Sequence, residues 1–120
     1  RKMLPENIPH QDALQNSIRT AMLTQALTTR PDLLLPATED FLHQSYRESA
    51  MPKSLSLMHK LRAAGVPAFI SGAGPAVLAF RLDANIDNEN ELVDLARVAG
   101  GGFKVEPIEI AQTGFQVATV

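Results

Sequence analysis

The sequence predicts an α+β domain in which a small antiparallel sheet is covered by helices on one face. Three observations carry this expectation. Apolar residues recur at helical spacing from Asp12 to Ala64. After Pro67 the pattern changes to two short apolar runs around Ser71-Gly72-Ala73-Gly74-Pro75. A further helical pattern over 91–98 then leads into two strand-like runs. The order is helices, strand–loop–strand, helix, strand–turn–strand.

Residues 1–8 read as extended or turn-like, because Pro5 and Pro9 restrict the residues before them. From Asp12 the apolar positions Leu14, Ile18, Ala21, Met22 and Leu27 recur on a helical period. Arg30-Pro31 ends that helix, since a residue preceding proline is pushed out of the α region. Residues 32–35 suggest a short helical turn closed by Pro36. Thr38 is expected to start a second helix with Phe41 and Leu42 on its apolar side, ending in a loop that holds Met51-Pro52. Ser54 is expected to cap the strongest helix, which carries Leu55, Met58 and Leu61 and closes at Ala64-Gly65 with the glycine left-handed. Residues 68–70 and 76–80 flank the glycine-rich turn as adjacent strands. A polar loop over 83–90 precedes the helix at 91–98, which Gly100-Gly101-Gly102 stops. Phe103, Val105, Ile108 and Ile110 suggest a strand whose alternation slips at Pro107, and residues 115–120 a last one.

A length of 120 residues fits one domain, and 45% hydrophobic content is that of an ordinary globular chain. The net charge of -2 gives no electrostatic reason to expect nucleic acid as a partner. No apolar run approaches the roughly 20 residues of a membrane helix, so no membrane partner is expected. The absence of cysteine excludes disulfides and thiolate zinc sites and fits a reducing cytoplasm. His10, His43 and His59 lack His-x-x-x-His spacing, so no metal site is expected. The opening Arg1-Lys2-Met3-Leu4-Pro5 has neither an initiator methionine in first place nor a signal-peptide core, and reads as the cut edge of a longer chain.

Two motifs stand out chemically. In Ser71-Gly72-Ala73-Gly74-Pro75 the glycines let the backbone turn to positive φ and bring N–H groups close to an anion. The same letters also serve a tight strand connection that needs glycine for geometry alone. The motif is neither a Walker A loop, lacking the lysine, nor a dinucleotide fingerprint, lacking the third glycine. In His43-Gln44-Ser45-Tyr46-Arg47, the arginine fork suits a carboxylate or phosphate, although a solvated surface arginine reads the same way. The acidic residues at 83, 87, 89 and 91 fit no calcium-loop spacing and read as a solvated loop.

The segments Arg1-Lys2-Met3-Leu4-Pro5, His43-Gln44-Ser45-Tyr46-Arg47, Met51-Pro52, Leu61-Arg62-Ala63-Ala64-Gly65-Val66 and the run from Ile70 to Ala79 are together similar to bacterial homoserine kinases. The Ser-Gly-Ala-Gly-Pro loop resembles the third conserved motif of the GHMP kinase superfamily. The resemblance implies a GHMP kinase C-terminal domain over 1–120, a ferredoxin-like sandwich. It also implies ATP-dependent phosphorylation of L-homoserine to O-phosphohomoserine in threonine biosynthesis, with ATP and magnesium bound mainly by an N-terminal domain that precedes this segment. Carried over residue by residue, Arg47 and Arg1 match arginines that hold the substrate carboxylate, and Gly72 falls where a loop backbone group meets the substrate. Ser71, Gly72, Ala73 and Gly74 form the glycine-rich loop, and no catalytic residue is assigned to the segment.

Two departures qualify the match. Ala76 stands where relatives often carry a hydroxyl residue, and the superfamily's phosphate loop is not in the sequence. The segment by itself is therefore expected to be inactive. An amino-acid-binding regulatory module, a structural or dimerising domain pairing through residues 115–120, and another small-molecule kinase of the superfamily are the alternative readings.

Overall fold

The computed structural model describes residues 3–80, 102–111 and 113–114, and the chain divides into two units, Arg1–Asp87 and Asn88–Val120. The first unit contains helix α1 (His10–Thr28), a 3-10 turn (Pro31–Leu33), the one-turn helix α2 (Leu34–Ala37), a 3-10 helix (Ser45–Ala50), helix α3 (Pro52–Ala63) and strands β1 (Ala68–Ile70) and β2 (Val77–Ala79). The described part is thus α+β, with helices and a two-stranded antiparallel sheet.

Helix α1 ends as expected: Thr29 and Arg30 both donate their N–H to the Gln25 carbonyl before Pro31. Of its expected apolar positions, Met22 reaches the core but others do not. Leu14 and Ile18 are 51% and 42% exposed, whereas Ala26, with Met22 and Leu23 beside it, packs on Leu33, Leu34, Ala37 and Phe80. Periodicity identifies a helix but not the neighbour that covers each side. Pro36 lies inside α2 rather than closing the turn before it. A proline is tolerated there because the first-turn N–H groups have no intrahelical partner.

The helix expected to start at Thr38 is absent. Thr38 is the buried C-terminal cap of α2, its hydroxyl donating 2.8 Å to the Leu34 carbonyl. The next helical segment begins at Ser45 instead, and Asp40 provides its entry: the carboxylate accepts the backbone N–H groups of His43 at 2.8 Å and Gln44 at 2.6 Å. An aspartate bonding its own backbone a few residues on competes with helix formation and makes a turn.

Helix α3 starts at Pro52, whose fixed φ and missing N–H suit the first helical position. Ser54, expected as its cap, lies within the helix, and its hydroxyl donates to the Pro75 carbonyl at 2.6 Å. At the other end Gly65 has φ +83°. Its N–H bonds the Arg62 carbonyl at 2.9 Å, and Val66 bonds Leu61 at 3.0 Å, the paired closure typical of a left-handed glycine cap. Leu55, Leu57, Met58 and Leu61 are buried on this helix, each stabilising the fold by roughly 2 kcal/mol.

Strands β1 and β2 pair in the register Ala68↔Ala79, Phe69↔Leu78, Ile70↔Val77. Ala68 and Ile70 share one face by strand alternation and are both buried, and α3 packs against both strands. Phe69 meets Phe80 at 5.8 Å between ring centroids. The connecting turn closes with Ser71 N–H to the Ala76 carbonyl at 2.9 Å and Gly74 N–H to the Ser71 carbonyl at 3.0 Å. Gly72 (φ +58°) and Gly74 (φ +81°) both occupy backbone that an L side chain strains to adopt.

In the second unit, residues 103–110, expected as a strand, have no strand structure. Ile108 is 73% exposed there, and Pro107 removes a ladder donor from the middle of the run. The expected helix at 91–98 and last strand at 115–120 lie outside the described residues. No helix among the described residues is long and apolar enough to cross a membrane.

Candidate functional site

A cavity of about 230 Å³ opens in the first unit between α1, the segment after α2, and the end of β1. Helix α1 contributes Asn16, Arg19, Thr20 and Leu23. The α2-to-helix connection contributes Glu39, Asp40, His43 and Gln44, and the opposite wall is Arg47, Phe69, Ile70 and Gly72. The volume lies below the roughly 300–1,000 Å³ of drug-sized pockets, so it suits a small molecule.

Arg47 and Gly72, 25 positions apart, line this cavity together. The guanidinium Nη1 donates to the Gly72 carbonyl at 3.4 Å. That is long for an N–H···O bond, hence weak and readily exchanged for a better acceptor. The backbone group that Gly72 turns toward Arg47 is thus a carbonyl, an acceptor, rather than an anion-binding N–H. Among the described residues Arg47 forms no ion pair.

The other cavity arginine is engaged. Arg19 pairs with Glu39 through Nη2–Oε2 at 2.7 Å and Nε–Oε2 at 2.8 Å, and stands 5.7 Å over the Phe41 ring. Asn16 Oδ1 accepts the Phe41 N–H at 3.1 Å, holding that segment against α1. Partial burial raises the Asp40 pKa, but the N–H groups of Gln44, His43 and Leu42 and the His43 side chain outweigh it. The carboxyl is held below the usual carboxylate range.

Two further side chains fix the walls. Gln44 Oε1 accepts the Ile70 N–H at 2.7 Å, fastening β1 to the 3-10 helix. Arg62, on α3, donates to Thr38 Oγ1 at 2.9 Å, the Ala68 carbonyl at 3.1 Å and the Leu35 carbonyl at 2.7 Å. It also stands 3.8 Å from Glu39. Burial lowers its pKa and the Glu39 charge opposes that shift. Arg62 thereby joins α3, α2 and β1 behind the cavity.

Of the residues expected from sequence, Arg47 and Gly72 come together on one cavity. Ser71 and Gly74 shape the turn: a Cβ on Gly74 would lie 2.5 Å from Met51 Sδ and 3.2 Å from Ile70 Cγ2, so the turn packs down onto α3 and β1 there. Arg1 lies outside the described residues. Sequence reasoning did not find Asn16, Arg19, Glu39 or Gln44 as parts of the wall, nor Arg62 as a support for it, because each acts on a partner 20 or more positions away. Asp40 did carry a local signal, an aspartate just ahead of a helical segment whose N–H groups need acceptors. Among the described residues no three His, Asp or Glu side chains gather as a metal site.

No family model matches the chain. Curated relatives do. The chain is 50% identical over 117 residues to a homoserine kinase of Streptomyces avermitilis, a match covering 98% of this chain and 36% of the relative. A homoserine kinase of Streptomyces coelicolor is 53% identical over 96 residues, covering 80% of this chain and 30% of the relative. One from Rhodococcus erythropolis is 46% identical over 120 residues, covering 99% and 36%. The chain thus spans about a third of the length of the curated relatives it matches. Identity at this level along essentially the whole chain means that the chain belongs to the homoserine kinase family.

Proposed function

We propose that this chain is the C-terminal, substrate-side part of an enzyme that phosphorylates the side-chain hydroxyl of L-homoserine with ATP. The observation that carries the reading is the shared cavity of Arg47 and Gly72, where a guanidinium without an ion pair among the described residues stands beside a bare turn. A free amino acid is a zwitterion, and its carboxylate needs a cation that is not already neutralised. Arg47 meets that need, while Arg19 is held by Glu39. Displacing the weak Gly72 contact costs little, and a carboxylate replaces it with two charge-assisted bonds.

Fixing one end of homoserine directs the far hydroxyl. Phosphoryl transfer depends mainly on positioning and electrostatic stabilisation, so a group that only orients still contributes strongly to rate. Arg1, in its Arg-x-x-Leu-Pro setting, is proposed as a second carboxylate partner. The resemblance of the Ser71–Gly74 turn to a GHMP motif supports a GHMP C-terminal domain, with a cytoplasmic setting for the enzyme. ATP and magnesium fall to the part of the protein outside this segment, whose own residues bind and orient the amino acid.

The test compares the full-length protein with the segment. Full-length protein is expected to consume ATP only when L-homoserine is present, and to accept the decarboxylated amino alcohol poorly. The purified segment of 120 residues is expected to be inactive. Homoserine-dependent turnover by the segment alone, or equal use of the amino alcohol, overturns the reading.

A further inference from the structure

We infer that Gln44 is a positioning residue, clamping the end of β1 so that Arg47 and the Gly72 turn face one ligand at a fixed separation. This rests on the reading of the cavity as an amino-acid site.

Strand geometry supplies the first constraint. In an antiparallel pair, successive N–H groups point alternately toward the partner strand and away from it. Ser71 N–H points to β2, bonding the Ala76 carbonyl at 2.9 Å. Ile70 N–H therefore points the other way, to the edge of β1 that β2 does not cover. A backbone donor left unmade in a largely buried place is costly. Gln44 Oε1 takes it at 2.7 Å, acting as a one-residue substitute for a neighbouring strand.

The helix then converts this bond into a geometry for Arg47. Residues three apart on a 3-10 helix eclipse one another. Gln44 is the N-cap of the Ser45–Ala50 helix and Arg47 lies three residues on, so both side chains reach the same stretch of chain. Gln44 meets Ile70 at 2.7 Å and Arg47 meets Gly72 at 3.4 Å. The short contact is the anchor, and the long one is left free to open for a ligand. Gln44 is itself held by Asp40, whose carboxylate accepts its backbone N–H at 2.6 Å. Asp40, Gln44 and Ile70 thus form a continuous brace from the entry of the helix to the root of the glycine turn.

The experiment uses the full-length protein with Gln44→Met, Gln44→Glu and Arg47→Ala measured in parallel. Methionine keeps the length and removes the acceptor. Loss of one such bond is expected to raise the homoserine KM about fivefold, with the ATP KM within about twofold of wild type. Glutamate keeps an acceptor oxygen for Ile70 but adds a charge to the cavity that Arg47 lines, so this variant reads the bond itself and not the homoserine KM. In the Gln44→Glu variant the Ile70 amide proton should shift with the titration of the introduced carboxylate, a readout that holds even where Gln44→Met does not fold. If Arg47→Ala leaves the homoserine KM unchanged, the amino-acid site itself fails. If Arg47→Ala raises it while Gln44→Met does not, or the Ile70 amide ignores the titration, the brace alone is wrong.

Discussion

Replacing Arg47 by alanine in the full-length protein is the sharpest probe of the cavity. The side chain is half-buried, and its one described bond, to the Gly72 carbonyl, is long at 3.4 Å. Its removal should therefore leave the stability of the fold nearly unchanged, within about 0.5 kcal/mol. Binding is another matter. A carboxylate gripped by the fork makes two charge-assisted bonds, each worth about 1.5–3 kcal/mol. Partial exposure places this pair toward the low end, for a total of about 3 kcal/mol. That corresponds to a rise in the homoserine KM on the order of 100-fold, with the KM for ATP essentially constant. Arg47→Lys keeps the charge but not the fork, and should fall between wild type and alanine. Initial-rate kinetics with each substrate varied in turn separates the two constants, and a melting curve checks the fold. An unchanged homoserine KM, or equal rises for homoserine and ATP, refutes the assignment.

Other outcomes follow from the surrounding structure. Arg62→Met should lower stability by about 2–4 kcal/mol, read as the urea midpoint, because the Leu35 and Ala68 carbonyls and the Thr38 hydroxyl lose their donor together. Gly74→Ala should cost more than Gly72→Ala. Both need a positive φ, at about 1 kcal/mol, but only at Gly74 does the new methyl meet Met51 and Ile70, whereas at Gly72 nothing lies within 4 Å; equal melting temperatures for the two variants would contradict this packing. For Asp40 the folded pKa is depressed, so its stabilising contribution is complete above the unfolded value near about 4. It is lost as pH falls through the lower folded value. The gap in urea midpoint between wild type and Asp40→Asn should be level from roughly pH 5 to 7 and close in stronger acid; a gap unchanged in stronger acid would show that the Asp40 charge does not stabilise the turn.

Much of the local structure was legible from the residues alone. Proline at 31 stops α1, glycine at 65 closes α3, and the apolar runs on either side of the glycine turn pair as β1 and β2. Backbone sterics and side-chain period act over a few residues, so they can be read in order along the chain. The family likeness was legible in the same way, as words in a fixed sequence. Misreadings occurred where a short polar side chain had more than one local option. Thr38 closes a helix instead of opening one, Asp40 turns the chain ahead of the next, and Ser54 bonds across to Pro75.

Only the tertiary structure decided that Arg47 stands beside Gly72, that Arg19 is neutralised by Glu39, and that Gln44 serves the edge of β1 away from β2. It also decided which side of α1 is covered, leaving Leu14 and Ile18 exposed. Each of these depends on how elements pack, which side-chain spacing within one element does not encode. A guanidinium reads the same in the sequence whether it meets a carboxylate, a carbonyl or water. Which of these it meets is decided only when the fold brings distant elements together, as it brings Arg47 to a cavity with no ion pair among the described residues.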